Sequence, residues 1–437
     1  MVGAGIGGVG RPVSAAGRWV ALALSALVLA LSVSLVIAVA GVVGGPGTPE
    51  AAERIDTAPG GVPIAVAGSF GTPAAPGRAL DPFQSSADGD RTVGAVLADL
   101  SDYWTAAAAA GGSALRAPAG GFVSMDSSGS SGSAGRGALC ISDPAQIAGN
   151  AFYCPSQDGI VFDSSALVPV LLGSYSSAGL ATSFAHEFGH AVQAQVGPTP
   201  ADRRADPARY PAVLIEAQAD CAAGAFLAAA AAGSTERVHV PIGSLARAVA
   251  PLLDFRDRPT LSPADATAHG LALDRLGFVL HGYRAGGMAC WSMTADDLAL
   301  TLGEPGVVTD AAASPRFESA AAAVDAASAS VSTFAGVPAA TPDPADLARS
   351  GTLGQFATGA AVARATGLAL SGSDVGAACF TGAWTASVFG SAPAGTLGSW
   401  AGDADEGLDL IRSRPGASFD ELAAYSDGFR GGRAACG

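Results

Sequence analysis

Residues 182–196 read Thr-Ser-Phe-Ala-His-Glu-Phe-Gly-His-Ala-Val-Gln-Ala-Gln-Val. His186 and His190 lie four apart, so on a helix both imidazoles project from one face about a turn apart. That spacing lets two nitrogens reach one zinc ion at ~2.0–2.1 Å. Glu187, beside the first histidine, can accept a proton from a water held at such an ion, which makes this an HExxH arrangement. A tetrahedral catalytic zinc needs a third protein ligand and one open position. Pro211-Ala-Val-Leu-Ile-Glu-Ala-Gln-Ala-Asp-Cys221 predicts a second helix with Pro211 in its first turn. Glu216 and Asp220 share one face of it. Glu216 is the candidate third ligand, and Asp220 the candidate acceptor for the second ring N–H of a ligand histidine. Their neighbours Ile215, Ala217, Ala219 and Cys221 are apolar, a setting that argues against two solvated surface acids.

Peptide hydrolysis at this centre would develop negative charge that needs a partner besides the metal. His269 is the candidate, with Tyr210, Arg275 and His281 behind it; His239, in Val238-His239-Val240, reads as structural. The elements that must position these groups are mostly helical. Phe184, Phe188, Val192 and Val196 recur every four residues as the core stripe of the HExxH helix. An earlier helix is expected from about Thr92, with Val93, Val96, Leu97, Leu100 and Trp104 at helical spacing. Ser- and Gly-rich residues 124–137 read as a loop. Phe152-Tyr153-Cys154-Pro155 and Gly159-Ile160-Val161-Phe162-Asp163 predict two short strands around a turn, and the Ile160–Asp163 strand is expected to be the edge that aligns an extended peptide. Residues 165–290 are mostly helical, 296–350 an irregular or loosely helical connector, and 351–437 helical again.

HEFGHAVQ followed by IEAQADCAAGAF resembles the bacterial neutral zinc metallopeptidase family, with its HExxH helix and later ExQADC motif. FYCPSQDGIVFD resembles that family's strand region. His269-Gly270, Arg275, Phe278, Gly282, Gly286 and Cys290 are similar to its HG-x4-R…F…G…G…C segment. The resemblance spans about residues 90–292. It implies a zincin-like α+β lobe, mostly helical with a small sheet against the metal-binding helix. It also implies one zinc ion on His186, His190 and Glu216, Glu187 as general base, and a peptide or protein substrate. A non-catalytic surface protein using the same lobe as a binding or scaffold module is the alternative, and retention of Glu187 argues for the enzyme.

The chain has 437 residues and a net charge of −15, and its 23 basic residues are all arginine. That balance excludes a nucleic-acid partner, since nothing here would neutralise a polyanion. From Trp19 to Val43 no residue is charged, long enough to span a bilayer. Arg11 and Arg18 precede it, while Glu50, Glu53 and Asp56 follow it with Arg54. Positive-inside logic makes 1–18 cytoplasmic, 19–43 a single transmembrane anchor, 44–90 a Gly/Pro-rich stalk and the rest extracytoplasmic. A cleaved signal ending near Ala38-Val39-Ala40 would instead leave a secreted protein. Oligomeric state is not legible.

Six cysteines suit an exported, disulfide-bonded protein. An internal repeat selects among their pairings. Cys379-Phe-Thr-Gly parallels Cys221-Ala-Ala-Gly, and Gly428…Cys436 parallels Gly282…Cys290. The expected bridges are Cys221–Cys290 and Cys379–Cys436, leaving Cys140–Cys154. Aligning Gly359–Gly367 with Gly189–Gly197 puts Phe356, Ala357 and Ala360 opposite His186, Glu187 and His190, with Asp374 opposite Glu216. On that alignment 91–295 is the metallopeptidase-like domain, and 351–437 a degenerate second copy of the helical lobe without metal ligands.

Overall fold

The computed structural model describes residues 78–79, 88–128, 139–259, 261–302, 317–391 and 404–437. The apolar run 19–43, its alternative cleavage site and most of the stalk 44–90 lie outside these described residues. A four-stranded sheet is built from β1 (Arg78–Ala79), β2 (Gly121–Met125), β3 (Ala151–Cys154) and β4 (Gly159–Asp163), in the order β1-β2-β4-β3. Strand β4 runs parallel to β2 and antiparallel to β3. Side chains alternate across it as a two-residue period requires. Phe122, Ile160 and Phe162 face the main helical core, whereas Val123, Val161 and Cys154 join Leu139, Ile141 and Ile147 in a smaller cluster behind. Cys140–Cys154 ties that smaller cluster to β3.

The helices are α1 (Asp88–Ala110), α2 (Leu167–Val196), α3 (Pro200–Ala205), α4 (Ala212–Ala231), α5 (Leu245–Asp254), α6 (Ala272–Ala285) and α7 (Gly287–Cys290). They are followed by α8 (Ala320–Ala335), α9 (Pro344–Leu353), α10 (Gln355–Ser371), α11 (Asp374–Ser391), α12 (Asp405–Arg412) and α13 (Phe419–Gly431). The result is an α+β, mostly helical protein with a small sheet. Helix α2 breaks at Ser176, whose φ is +65°. The Ser176 hydroxyl accepts from the Ala178 N–H and restarts the helix that carries the histidines.

Four expectations change. The edge strand is β3, not Ile160–Asp163, because β4 lies between β2 and β3. Helical and strand structure begins inside the 44–90 segment, with β1 paired to β2 and α1 opening at Asp88. The expected loop 124–137 starts with two strand residues, Ser124 and Met125. The 296–350 connector holds two regular helices, α8 and α9; α8 buries Ala323, Ala327 and Val331, so its alanines act as small packing residues.

Close helix crossings set the architecture. A Cβ on Gly224 would stand 2.0 Å from the Val279 carbonyl oxygen, and one on Gly282 1.8 Å from that of Cys221, so only glycine lets α4 and α6 touch. Gly382 and Gly428 do the same for α11 and α13, against the carbonyls of Tyr425 and Cys379. Cys221–Cys290 and Cys379–Cys436 lie beside these two crossings. Gly189 of α2 rests on Ala219 and Ala222, and Gly367 of α10 rests on Ala377 and Phe380. By these contacts Gly367 meets α11 as Gly189 meets α4, so superposing the two helix pairs would set Gly367, rather than Gly359, opposite Gly189. It would set Arg364, Ala365 and Leu368 opposite His186, Glu187 and His190, in place of Phe356, Ala357 and Ala360.

Candidate metal centre

Gly189 brings α2 against α4 closely enough for Glu216 and Asp220 to meet the two histidines. The Nε2 atoms of His186 and His190 lie 3.2 and 3.3 Å from Glu216 Oε2, and the His269 Nε2 lies 3.4 Å from the same oxygen. That oxygen is buried and has no hydrogen-bond partner. Ligand atoms of His186, His190 and Glu216 all fall within 4.8 Å of one another. Two imidazoles and one carboxylate around a common point are a donor set that could hold a tetrahedral divalent cation with one position open.

Each histidine is fixed by its other ring nitrogen. His186 Nδ1 lies 2.7 Å from Asp220 Oδ1. Asp220 is fully buried and also accepts from Arg275 Nε at 2.8 Å and Nη2 at 2.7 Å. His190 Nδ1 lies 3.3 Å from Gln193 Oε1. His269 Nδ1 lies 2.8 Å from the Thr267 carbonyl, while Asp257 accepts from the backbone N–H groups of His269 and Gly270 and holds the segment before α6. Glu187 Oε2 accepts from the Tyr153 N–H of β3 at 3.2 Å.

The electrostatics agree with a cation centre. Burial alone would push the His186 imidazole down, but Asp220 and Glu216 outweigh it and raise it. His190 is raised in the same sense against its burial, by Glu216. Burial would lift Glu216, yet the charges of His190 and His186 hold it well below the usual carboxylate range. Burial lifts Glu187 above its ordinary value against the pull of both histidines, which keeps a carboxyl group there poised to exchange a proton. Burial likewise opposes Asp220, which the Arg275 charge nonetheless holds at about 2. A field that draws positive charge onto the imidazoles is one that a divalent ion can use.

The centre opens into a cleft of about 740 Å³ lined by β3 residues, Glu187, His190, Glu216 and His269. His186, Glu187, His190, Glu216, Asp220 and His269 are all brought together. Arg275 joins them through Asp220. Tyr210 packs with the Cys221–Cys290 cluster, His281 borders a separate pocket beside Asp297, and His239 is exposed. Val196, read as part of the core stripe, is 38% exposed at the last position of α2. Gln193, Gln218 and Asp257 escaped the sequence reading; the two glutamines lie within the motifs, but nothing in their spacing reveals what they bond.

Neither a curated protein nor a solved structure matches the chain. Residues 85–292, the segment that carries every residue of this centre, match the family described as putative neutral zinc metallopeptidase, and the resemblance read from the motifs holds across it.

Proposed function

We propose that the chain is a zinc metalloendopeptidase, anchored by residues 19–43 with its catalytic domain outside the membrane. The observation that carries the activity is the convergence of His186, His190 and Glu216 beside Glu187 in an open cleft. A bound zinc would polarise a peptide carbonyl and make a water acidic enough to lose a proton near neutral pH. His186, His190 and Glu216 hold the ion. Glu187 takes the proton from the attacking water and delivers it to the leaving amine, as its raised affinity for protons suits. Its hydrogen bond to the Tyr153 N–H aims the carboxylate along β3. His269 gives its Nδ1–H to the Thr267 carbonyl, so only its imidazolium form can donate from Nε2 to the developing oxyanion; burial opposes that form, and Asp257 and Glu216 favour it against that effect. An extended peptide would lie along the β3 edge, where strand addition aligns the scissile bond with the centre.

Residues 351–437 read as a second copy of the helical lobe that lost the metal. The paired glycine crossings and bridges support this. In that register Arg364 replaces His186 and Asp374 replaces Glu216, and the two form an ion pair. Arg364 also pairs with Asp346 at 2.8 Å. A guanidinium then carries the positive charge that zinc carries in the first lobe. The surviving role of this lobe is to brace the first: Asp405 of α12 accepts from the N–H groups of Ala272 and Leu273 at the start of α6, and Asp409 pairs with Arg256.

The test is cleavage of a mixed peptide library by the full chain and by Glu187→Gln. Zinc-dependent cleavage that falls about 10²–10⁴-fold in the variant supports the enzyme. Zinc bound by both forms with cleavage by neither would favour the scaffold alternative.

A further inference from the structure

The polar chain behind His190 is unusual in being readable without ambiguity. Gln193 Nε2 lies 3.2 Å from the Ile215 carbonyl oxygen and 2.6 Å from Gln218 Oε1. Gln218 Nε2 lies 3.1 Å from the Met293 carbonyl oxygen. Both side chains are buried. A carbonyl oxygen can only accept, so the amide atom facing each carbonyl must be the NH₂ group. That fixes the orientation of both amides. Gln193 has both its N–H donors engaged, by Ile215 and Gln218, and turns its oxygen toward His190 Nδ1. The imidazole can meet an oxygen there only as an Nδ1–H donor, which leaves the Nε2 lone pair directed at the centre.

We infer that Gln193 and Gln218 form a positioning relay that sets the tautomer and orientation of His190 for metal binding. The relay rests on the zinc reading above. It makes the two histidines unequal by construction. His186 donates to a carboxylate backed by an arginine, and His190 to a neutral amide. A second carboxylate behind His190 would add another buried negative charge to a site that already holds Glu187, Glu216 and Asp220. The relay ends on Met293, three residues beyond Cys290, so the Cys221–Cys290 bridge pins its last acceptor to the helix that supplies Glu216. It therefore spans α2, α4 and the segment after α7, and couples the aim of His190 to the packing of all three.

The experiment measures zinc affinity of the full chain by competition with a chromophoric chelator. It compares wild type, Gln193→Leu, Gln193→Met, Gln218→Leu, the Gln193→Leu/Gln218→Leu double variant and Gln195→Leu. Gln195 lines the same cleft but bonds Arg116 instead. Gln193→Leu should bind zinc about 10–100-fold more weakly, the usual loss when the partner of a metal-binding histidine is removed. Gln193→Met fills nearly the same space without an oxygen to face His190 and should lose as much as Gln193→Leu, whereas Gln195→Leu should stay within a few-fold of wild type. Gln218→Leu should weaken binding less than Gln193→Leu and add nothing to it in the double variant, because its effect passes through Gln193. Unchanged affinity in Gln193→Leu would overturn the relay. Wild-type affinity in Gln193→Met beside a loss in Gln193→Leu would also overturn it, since packing alone would then explain the loss. Should Gln193→Leu not fold, wild-type affinity in Gln218→Leu or in Gln193→Met still overturns the inference. A wild-type chain that takes up no zinc overturns the metal centre itself, and the relay with it.

Discussion

Asparagine at position 220 would keep the shape of the buried carboxylate and remove its charge. All three groups facing Asp220 donate: His186 Nδ1 at 2.7 Å, Arg275 Nη2 at 2.7 Å and Arg275 Nε at 2.8 Å. An amide offers one oxygen. Placed where it serves His186 and Arg275 Nη2, it turns its NH₂ group against Arg275 Nε, and donor meets donor. Arg275 is itself buried, and its remaining partner is the Phe255 carbonyl. Removing one partner of a buried ion pair costs about 3–5 kcal/mol, and the retained hydrogen bond puts Asp220→Asn near the lower end. We expect about 3 kcal/mol lost in urea unfolding of the zinc-free chain. With zinc, affinity should also fall about 10–100-fold, because His186 loses its charged acceptor. Measuring stability without metal separates the two effects. An unfolding free energy within about 1 kcal/mol of wild type, together with unchanged zinc affinity, would refute the reasoning.

Gly282→Ala and Gly428→Ala should each destabilise by about 1–3 kcal/mol in urea unfolding, because the new Cβ meets a backbone carbonyl at 1.8 and 2.0 Å. Gly351→Ala in α9, with nothing within 4 Å, should instead gain about 0.4–1 kcal/mol. Burial would lift Asp409, but Arg412 and Arg256 hold it below its ordinary value. A carboxylate depressed in the folded state stabilises above its unfolded value and loses that contribution as pH falls through the folded value. The Asp409 contribution to the urea midpoint should thus be level near neutrality and fall away below about pH 4, which gives Asp409→Asn a shallower acid slope. Asp405→Ala leaves two buried N–H groups at the start of α6 unpaired, which should cost about 1–3 kcal/mol. The same variant should lower peptidase kcat with zinc affinity intact, if α12 braces the His269 segment.

The grouping of the candidate ligands was legible because it depends on local spacing. His186, His190, Glu216 and Asp220 each lie four residues from a partner on a helix, and helical geometry alone puts such pairs on one face. The three disulfide pairings also followed from sequence, through the parallel between Cys221…Cys290 and Cys379…Cys436. What sequence could not supply was register between segments distant along the chain. β4 reads as strongly as an edge strand does, and only its pairing with both β2 and β3 shows it to be interior. Likewise Gly359 and Gly367 both stand in Ala-rich helix, and only the packing of Gly367 on Ala377 and Phe380 shows that it meets α11 as Gly189 meets α4. The glutamine relay was hidden for the same reason, since its bonds join α2, α4 and Met293, 75 residues from Gln218. Helix α8 was read only as loosely helical because its alanines, though strong helix formers, leave no stripe of large apolar side chains to mark a buried face.

The most direct test of the metal centre is elemental analysis of the purified full chain beside Glu216→Ala. The account predicts one equivalent of zinc in the wild type and its loss on dialysis in the variant. Arg364 and Asp374 would leave the second lobe without any. Zinc retained by Glu216→Ala, a second equivalent, or none in the wild type would contradict it.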